Sequence, residues 1–208
     1  ILSEVNYCFS PGVSDTADFE KEISEKFNIQ SFLADASVDG APEHDVNFKF
    51  TKKFLGAKNH NDFITLADWM ASEKIEPNKK IILQMDIEGS EYEVLIVEEV
   101  TTLAKFSVMI IEFHSFQKLF EKDFLKMVSA VFQKLYKEFS ICHVHPNNCC
   151  GVASLHGIDI PRVMEITFLR NDLVENFKNN EKIKSPHPLD SKNLDYNEDI
   201  ILPHYWKN

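Results

Sequence analysis

Lys80-Ile81-Ile82-Leu83-Gln84-Met85-Asp86-Ile87-Glu88-Gly89-Ser90-Glu91 decides the fold. A strand is predicted over Lys80 to Ile87, apolar over most of its length as expected of a central parallel strand covered on both faces. The run then turns acidic within one step, at Asp86 and Glu88, and meets a glycine. Ser90 followed three residues later by Glu93 has the form of a capping box, so a helix is predicted to start there and run through Leu95 and Val100 to about Leu103. A buried strand passing directly into a helix is half of a βαβ unit.

Outward from this run, strand-length apolar segments alternate with segments of helical period, the pattern of an α/β protein with a largely parallel sheet. Upstream lie a first strand, Val5 to Phe9, and a turn, Ser10 to Ser14. A helix follows, capped by Asp15 or Thr16, with Phe19, Ile23 and Phe27 on one buried face. A second strand, Ile29 to Leu33, ends at Asp35, and a third is expected around Val46 to Leu55. Thr65 to Glu73 reads as a short helix. Downstream come a strand at Ser107 to Phe113, a helical stripe within Phe116 to Glu138, and strands at Ser140 to His145 and Val163 to Leu169. Pro146 to Pro161 reads as a loop over one end of the sheet. The expected organisation is one domain over residues 1–170 and an extended tail over 171–208 that packs on the domain or on a partner.

Composition narrows the function. A chain of 208 residues with 44% apolar residues can bury one substantial core. The net charge of -11 disfavours nucleic acid, whose binding rests on Lys and Arg neutralising phosphates. Cys8, Cys142, Cys149 and Cys150 form no disulfide framework, and no apolar run reaches membrane-span length. The expectations are a cytoplasmic protein, no membrane partner, and a tail whose Leu202, Tyr205 and Trp206 pack on the domain, cover the site, or make a homodimer.

In an open α/β sheet, ligands bind beyond the carboxyl ends of the strands, where strand order reverses. At that edge Gly12, Val13, Ser14 and Asp15 form a turn of small residues before a helix, suited to close approach by a ligand. Asp35 lies where an acid accepts hydrogen bonds from ribose hydroxyls, so the two features together point to a nucleoside-containing cofactor. Asp86 and Glu88 end the central strand, and Glu112 and His114 the next. Of the candidate bases His114, His143 and His145, the sequence favours His114, directly after its strand. His145, Asn147 and Asn148 are candidates to face a substrate. Cys142-His143-Val144-His145, with Cys149, Cys150 and His156, concentrates metal-binding side chains. Its spacing fits no structural zinc pattern, however, and no metal is expected.

Leu83 to Leu95, a hydrophobic strand ending in Asp-x-Glu-Gly and continuing into a helix, resembles the signature of FkbM-type methyltransferases. Thr65-Leu66-Ala67-Asp68, Val108 to His114 and Met164 to Arg170 are similar to further segments of that family. The resemblance implies a Rossmann-like seven-stranded sheet, mostly parallel with the last strand antiparallel and helices on both faces. It also implies S-adenosylmethionine as cofactor, cradled by Gly12, Val13, Ser14 and Asp15, with Asp35 at the ribose and Asp86 and Glu88 beside the methyl donor. The expected reaction is O-methylation of a small hydroxylated acceptor such as a sugar, lipid or secondary metabolite, with Asp86, Glu88 and His114 catalytic. The first loop departs from the family pattern, having Ser10 where an acidic residue is common. A nicotinamide-dependent oxidoreductase and a catalytically silent nucleoside-binding module are the rival readings.

Overall fold

The computed structural model describes residues 1–174 and 186–206. Seven strands make one sheet: β1 (Val5–Pro11), β2 (Gln30–Ala34), β3 (Phe48–Thr51), β6 (Lys80–Met85), β7 (Phe106–Phe113), β8 (Phe139–Pro146) and β11 (Met164–Arg170). The short β4 (Phe54–Leu55) and β5 (Phe63–Ile64) pair with each other, as do β9 (Val152–Leu155) and β10 (Ile158–Pro161). The sheet order is β3-β2-β1-β6-β7-β11-β8, and β11 runs antiparallel to both neighbours while the other pairs are parallel. The Rossmann-like expectation holds, including the antiparallel last strand. Strand order reverses between β1 and β6, which places the carboxyl ends of those two strands at the switch point.

Side-chain alternation along the central strands builds two cores. Cys8 and Ile82 face one side with Val5, Ile23, Ile29, Val108 and Leu169, under α1 (Asp18–Phe27) and α6 (Asn171–Val174). Phe9 and Leu83 face the other, under α2 (Leu66–Ser72), α3 (Glu91–Val97), α4 (Val100–Leu103) and α5 (Lys122–Leu135). The second core is the larger and is aromatic. Phe9 meets Trp69 edge-on with ring centroids 4.8 Å apart, and Phe113 packs on Phe132 at 5.2 Å. Among the described residues, no helix is long and apolar enough to cross a membrane.

Several boundaries differ from the sequence reading, each for a tertiary reason. Helix α1 starts at Asp18, its N-cap Ala17 lying one or two residues past the expected caps and making no side-chain bond. Val13 and Ala17 are both buried, and Thr16 N–H closes a turn on the Val13 carbonyl, so the loop is held to the sheet before the helix begins. Phe27 is exposed because α1 ends at Asn28 in the left-handed region. The third strand covers only Phe48–Thr51, and Val46, expected within it, is 98% exposed.

The helix after Asp86 is interrupted at Glu98 and Glu99, whose backbones are extended. The interruption lets one residue serve two elements. The buried Glu98 carboxylate accepts from Leu66 N–H at 2.9 Å and Ala67 N–H at 3.3 Å, filling donors that the start of α2 leaves open. Lys134 on α5 reaches the other side of the break and donates to the carbonyls of Leu95, Ile96 and Glu98. A break in α3 thereby locks α2, α3 and α5 together. The expected capping box does not form, since Ser90 makes no side-chain cap bond and Gly89 N–H donates to Glu91 Oε1 instead.

The stretch 146–161, read as a loop, contains the β9–β10 hairpin. His156 and Gly157 both have positive φ (51° and 79°) at its turn, as a type I′ turn requires. Cys142 is exposed on the outer strand β8. Cys149 and Cys150 are joined in a disulfide between neighbours. That bridge closes no long loop, so it is not a framework of the kind that staples small secreted domains. The expected tail falls partly outside the described residues, at 175–185 and 207–208. Within 186–206, Leu202 is buried, Trp206 packs on Phe116, and the Tyr205 hydroxyl bonds to the Asp159 backbone. Those residues pack on the domain.

Lys134→Met keeps the aliphatic stem and removes the ammonium, leaving three carbonyls at the end of α3 without their donor. The expected loss is about 1–3 kcal/mol of folding free energy, measured by urea denaturation.

Candidate active site

Gly12 sets the geometry of the switch point. Its φ is 92°, and a Cβ placed there would lie 1.5 Å from the Asp86 carbonyl oxygen. Only a glycine lets the first loop cross the tip of β6 at this distance. The crossing is tied on both sides: Gly12 N–H donates to the Ala34 carbonyl, and Asp86 N–H to the Pro11 carbonyl. The loop then turns outward, with Val13 buried and Ser14, Asp15 and Thr16 exposed.

Asp35, nearly buried at the end of β2, clasps this loop. One carboxylate oxygen accepts from Ser14 N–H at 3.0 Å, and the other from Ser37 N–H at 2.7 Å and Ser37 Oγ at 2.6 Å. It therefore fixes the first loop against the second while sitting at the sheet edge. Beneath the loop, an acid reaches Ser10 from another element. Glu20 on α1 is buried and hydrogen-bonded to Ser10 Oγ, which also contacts Gln84 Oε1 at 2.7 Å. Burial raises the Glu20 carboxyl above its ordinary range. Sequence reasoning missed Glu20, because its charge looks like that of any first-turn helix acid.

At the tips of β6 and β7, one imidazole stands among four carboxylates. His114 Nδ1 lies 3.0 Å from Glu91 Oε1, while its Nε2 is 3.8 Å from Asp86, 3.4 Å from Glu88 and 3.5 Å from Glu112. Tyr92 Oη donates to the His114 carbonyl at 2.7 Å, holding that backbone in place. Glu88 is in the left-handed region at φ 54° and its side chain is 83% exposed, so it approaches the ring from solvent. Glu91, by contrast, is fully buried, with Oε1 shared between Gly89 N–H and His114 and Oε2 without a partner among the described residues. In the sequence Glu91 looks like one more N-terminal helix acid, and only the return of β7 beside β6 gives it a histidine.

Asp86, Glu112 and His114 shift one another. Burial by itself would lower His114, but the hydrogen bond to Glu91 and the charges of Glu91, Asp86 and Glu112 outweigh it and lift the ring to about 9. At neutral pH His114 is thus an imidazolium and has no lone pair with which to take a proton. Asp86 is pushed up to about 6 by burial, aided by Glu88 and Glu91 and opposed by His114. Glu112 is pushed up to about 7, again first by burial and then by the charge of Asp86. Its Oε1 accepts from Asn147 Nδ2 at 3.1 Å, and Asn147 is itself fixed by accepting from Cys149 N–H. Asp86 Oδ1 is buried with no hydrogen-bond partner among the described residues.

The structure brings Gly12, Val13, Ser14, Asp15, Asp35, Asp86, Glu88, Glu112, His114 and Asn147 to the carboxyl edge of the sheet. Two of the residues expected to face substrate are engaged elsewhere. Asn148 exchanges hydrogen bonds with Leu194 and Asn197 and so anchors the C-terminal segment. His145 faces Asp190 from that same segment. Nothing in the order of residues signals either contact, since both partners lie more than forty positions downstream.

Comparison with known proteins matches residues 31–139, a little over half of the chain, to the family model described as methyltransferase FkbM domain. No curated protein matches. Among solved structures the chain is similar to the fibrillarin pre-rRNA processing protein of Methanococcus jannaschii, at 10% identity and a TM-score of 0.45 over 81% of this chain and 68% of that one. It is also similar to a putative rRNA-methylase from Clostridium thermocellum, at 9% identity and a TM-score of 0.40 over 82% and 90%. A third likeness is to the N-methyltransferase NodS from Bradyrhizobium japonicum WM9, at 8% identity and a TM-score of 0.36 over 82% and 90%. Likenesses this distant carry no weight in assigning chemistry.

His114 held above its ordinary value near 6.5 stabilises the fold below about pH 6.5, and that contribution is lost as pH rises through about 9. A nitrogen-15 NMR titration of the ring should show a midpoint near 9, falling toward the ordinary range in Glu91→Gln. An unshifted midpoint in the wild type would remove the buried carboxylate as its cause.

Proposed function

The chain belongs to the FkbM-type methyltransferase family, enzymes of class I that depend on S-adenosylmethionine, and from that premise we propose that it methylates a hydroxyl oxygen of a small acceptor, with Glu112 taking the acceptor's proton. The observation that carries the proposal is the position of the Glu112 carboxyl, mostly enclosed at the tip of β7, held by Asn147 and sharing the His114 ring with Asp86.

The residues at the switch point fit the cofactor. Asp86 Oδ1 is a buried acceptor that makes no hydrogen bond among the described residues, and the tips of β6 and β7 are acidic, as suits a ligand bearing a sulfonium and an ammonium. In this reading Gly12, Val13, Ser14 and Asp15 hold the methionine part. Asp35 fixes their loop and stands at the ribose, and Asp86 and Glu88 border the methyl donor. When bound, S-adenosylmethionine supplies an electrophilic methyl group.

The acceptor's side of the reaction falls to the chain's own groups. A hydroxyl is a weak nucleophile until its proton is removed, and a base works best with a pKa near the operating pH. Glu112 meets that condition through desolvation, and Asn147 holds one of its oxygens in orientation. His114, as an imidazolium held by Glu91, acts as a fixed positive charge and hydrogen-bond donor that keeps Asp86 and Glu112 from climbing further. Asp86 and Glu88 supply negative charge facing the donor, and the protein must mainly align the two reactants.

The net charge of -11 supports a small-molecule acceptor over a nucleic acid. Acceptors in keeping with this reading are hydroxylated sugars, lipids and secondary metabolites, handled in the cytoplasm without a membrane partner. Glycine supports the methyl-transfer reading over the nicotinamide alternative, since Gly12 is the lone glycine of the first turn where a dinucleotide fingerprint has three.

Calorimetry should show S-adenosylhomocysteine binding to the wild type, with Asp35→Ala weakening it about tenfold or more as the loop clasp is lost. Transfer of labelled methyl to a panel of hydroxyl and amine acceptors then tests the chemistry. With a hydroxyl acceptor, kcat should rise with pH through about 7 as Glu112 loses its proton. Glu112→Gln should lower kcat about 100-fold or more while leaving S-adenosylhomocysteine affinity in place. Turnover confined to amines would overturn the oxygen assignment, and cofactor affinity without any turnover would favour a silent binding module.

A further inference from the structure

The outer strand β8 carries His143 and His145 on one face, their rings stacked with centroids 6.5 Å apart and planes within 10°. Opposite them stands Asp190, from the C-terminal segment. Its Oδ1 is 2.9 Å from His143 Nε2 and its Oδ2 is 3.5 Å from His145 Nδ1. The three ligand atoms lie within 4.8 Å of one another. Tetrahedral zinc with bonds of about 2.0–2.1 Å separates its ligands by about 3.3 Å, so the two measured separations bracket that edge.

Three features distinguish this cluster from an ordinary surface ion pair. His145 Nδ1 is buried and makes no hydrogen bond, which leaves it oriented toward the carboxylate without a proton partner of its own. Asp190 is held in place by its turn: its Oδ2 accepts from His187 N–H at 2.7 Å, and its own N–H donates to the His187 carbonyl at 2.9 Å. Metal-binding carboxylates are characteristically hydrogen-bonded in this way. A cavity of about 140 Å³, lined by His145, His187, Asp190 and Leu202 among others, adjoins the cluster and leaves room for a water as fourth ligand.

We propose that His143, His145 and Asp190 form a binding site for one zinc-class divalent cation, which fastens the C-terminal segment to the outer strand of the sheet. Two imidazoles and a carboxylate suit borderline-soft ions such as Zn(II) and Co(II) better than Mg(II) or Ca(II). The sequence reading expected no metal, because the spacing after His145 matched no zinc pattern. The third ligand comes from Asp190, far downstream, and not from Cys149, Cys150 or His156. The cation ties together two pieces of chain already joined by Asn148 to Leu194 and Asn197. This site is separate from the acidic cluster. Glu112, Glu165 and His145 pair in register across β7, β11 and β8, so His145 stands two strands away from Glu112, about 10 Å.

The full chain, stripped with EDTA and dialysed, is titrated with Zn(II) by calorimetry and with Co(II) by visible absorption. The wild type should take up one equivalent and give a cobalt spectrum of tetrahedral type. Asp190→Asn, His145→Gln and His143→Gln should each weaken uptake about tenfold or more, whereas Glu88→Gln at the other cluster should leave it intact. Added Zn(II) should slow tryptic cleavage at Lys192 in the wild type and not in Asp190→Asn. Circular dichroism of the three ligand variants identifies any that fails to fold, and the others then decide. Uptake equal in the wild type and all folded ligand variants would overturn the proposal. So would uptake lost in Glu88→Gln and kept in Asp190→Asn, which would place the ion at the acidic cluster.

Discussion

The Asp86 carbonyl occupies the space that any side chain at position 12 would need. That exclusion lets the first loop lie across the tip of β6, and the rest of the site follows from it. β1 and β6 pair side by side at the strand-order reversal, Gly12 lets the loop after β1 lie against the Asp86 backbone, and Asp35 at the end of β2 reaches Ser14 to fix that loop.

Beside this steric constraint stands an electrostatic one. Asp86, Glu88, Glu91 and Glu112 converge on one ring, and so many carboxylates in a partly dry place are tolerable only if some protonate or a cation joins them. The protein does both: His114 stays protonated, and Asp86 and Glu112 are displaced toward neutrality. The same displacement turns a carboxylate into a base suited to neutral pH. Burial of Glu91 anchors the arrangement, since a fully enclosed carboxylate demands a positive partner.

Helices α2, α3 and α5 carry a second set of tertiary dependences. Glu98 and Lys134 satisfy helix ends on elements far from their own in sequence, so the break between α3 and α4 strengthens the packing around it. The C-terminal segment is joined to β8 and its following turn by the same logic, through Asn148 and through the facing His143, His145 and Asp190.

The sequence by itself determined the alternation of strands and helices, the central strand from Lys80, which it carried on to Ile87 where the structure ends it at Met85, the acidic tip at Asp86 and the family to which the chain belongs. Those features are local, because apolar period and turn chemistry act within a few residues. Tertiary structure alone decided the interruption at Glu98, the late start of α1 behind the buried Val13 and Ala17, and the hairpin at His156-Gly157, although the positive-φ demand of its turn was a local hint. It also decided which histidine is charged and what each of them faces. His114, His143 and His145 look alike in sequence, and their differences arise from Glu91, Glu112 and Asp190, which only the folded sheet brings within a few ångströms of them. Charge and desolvation act through space, so neither was written in the order of residues.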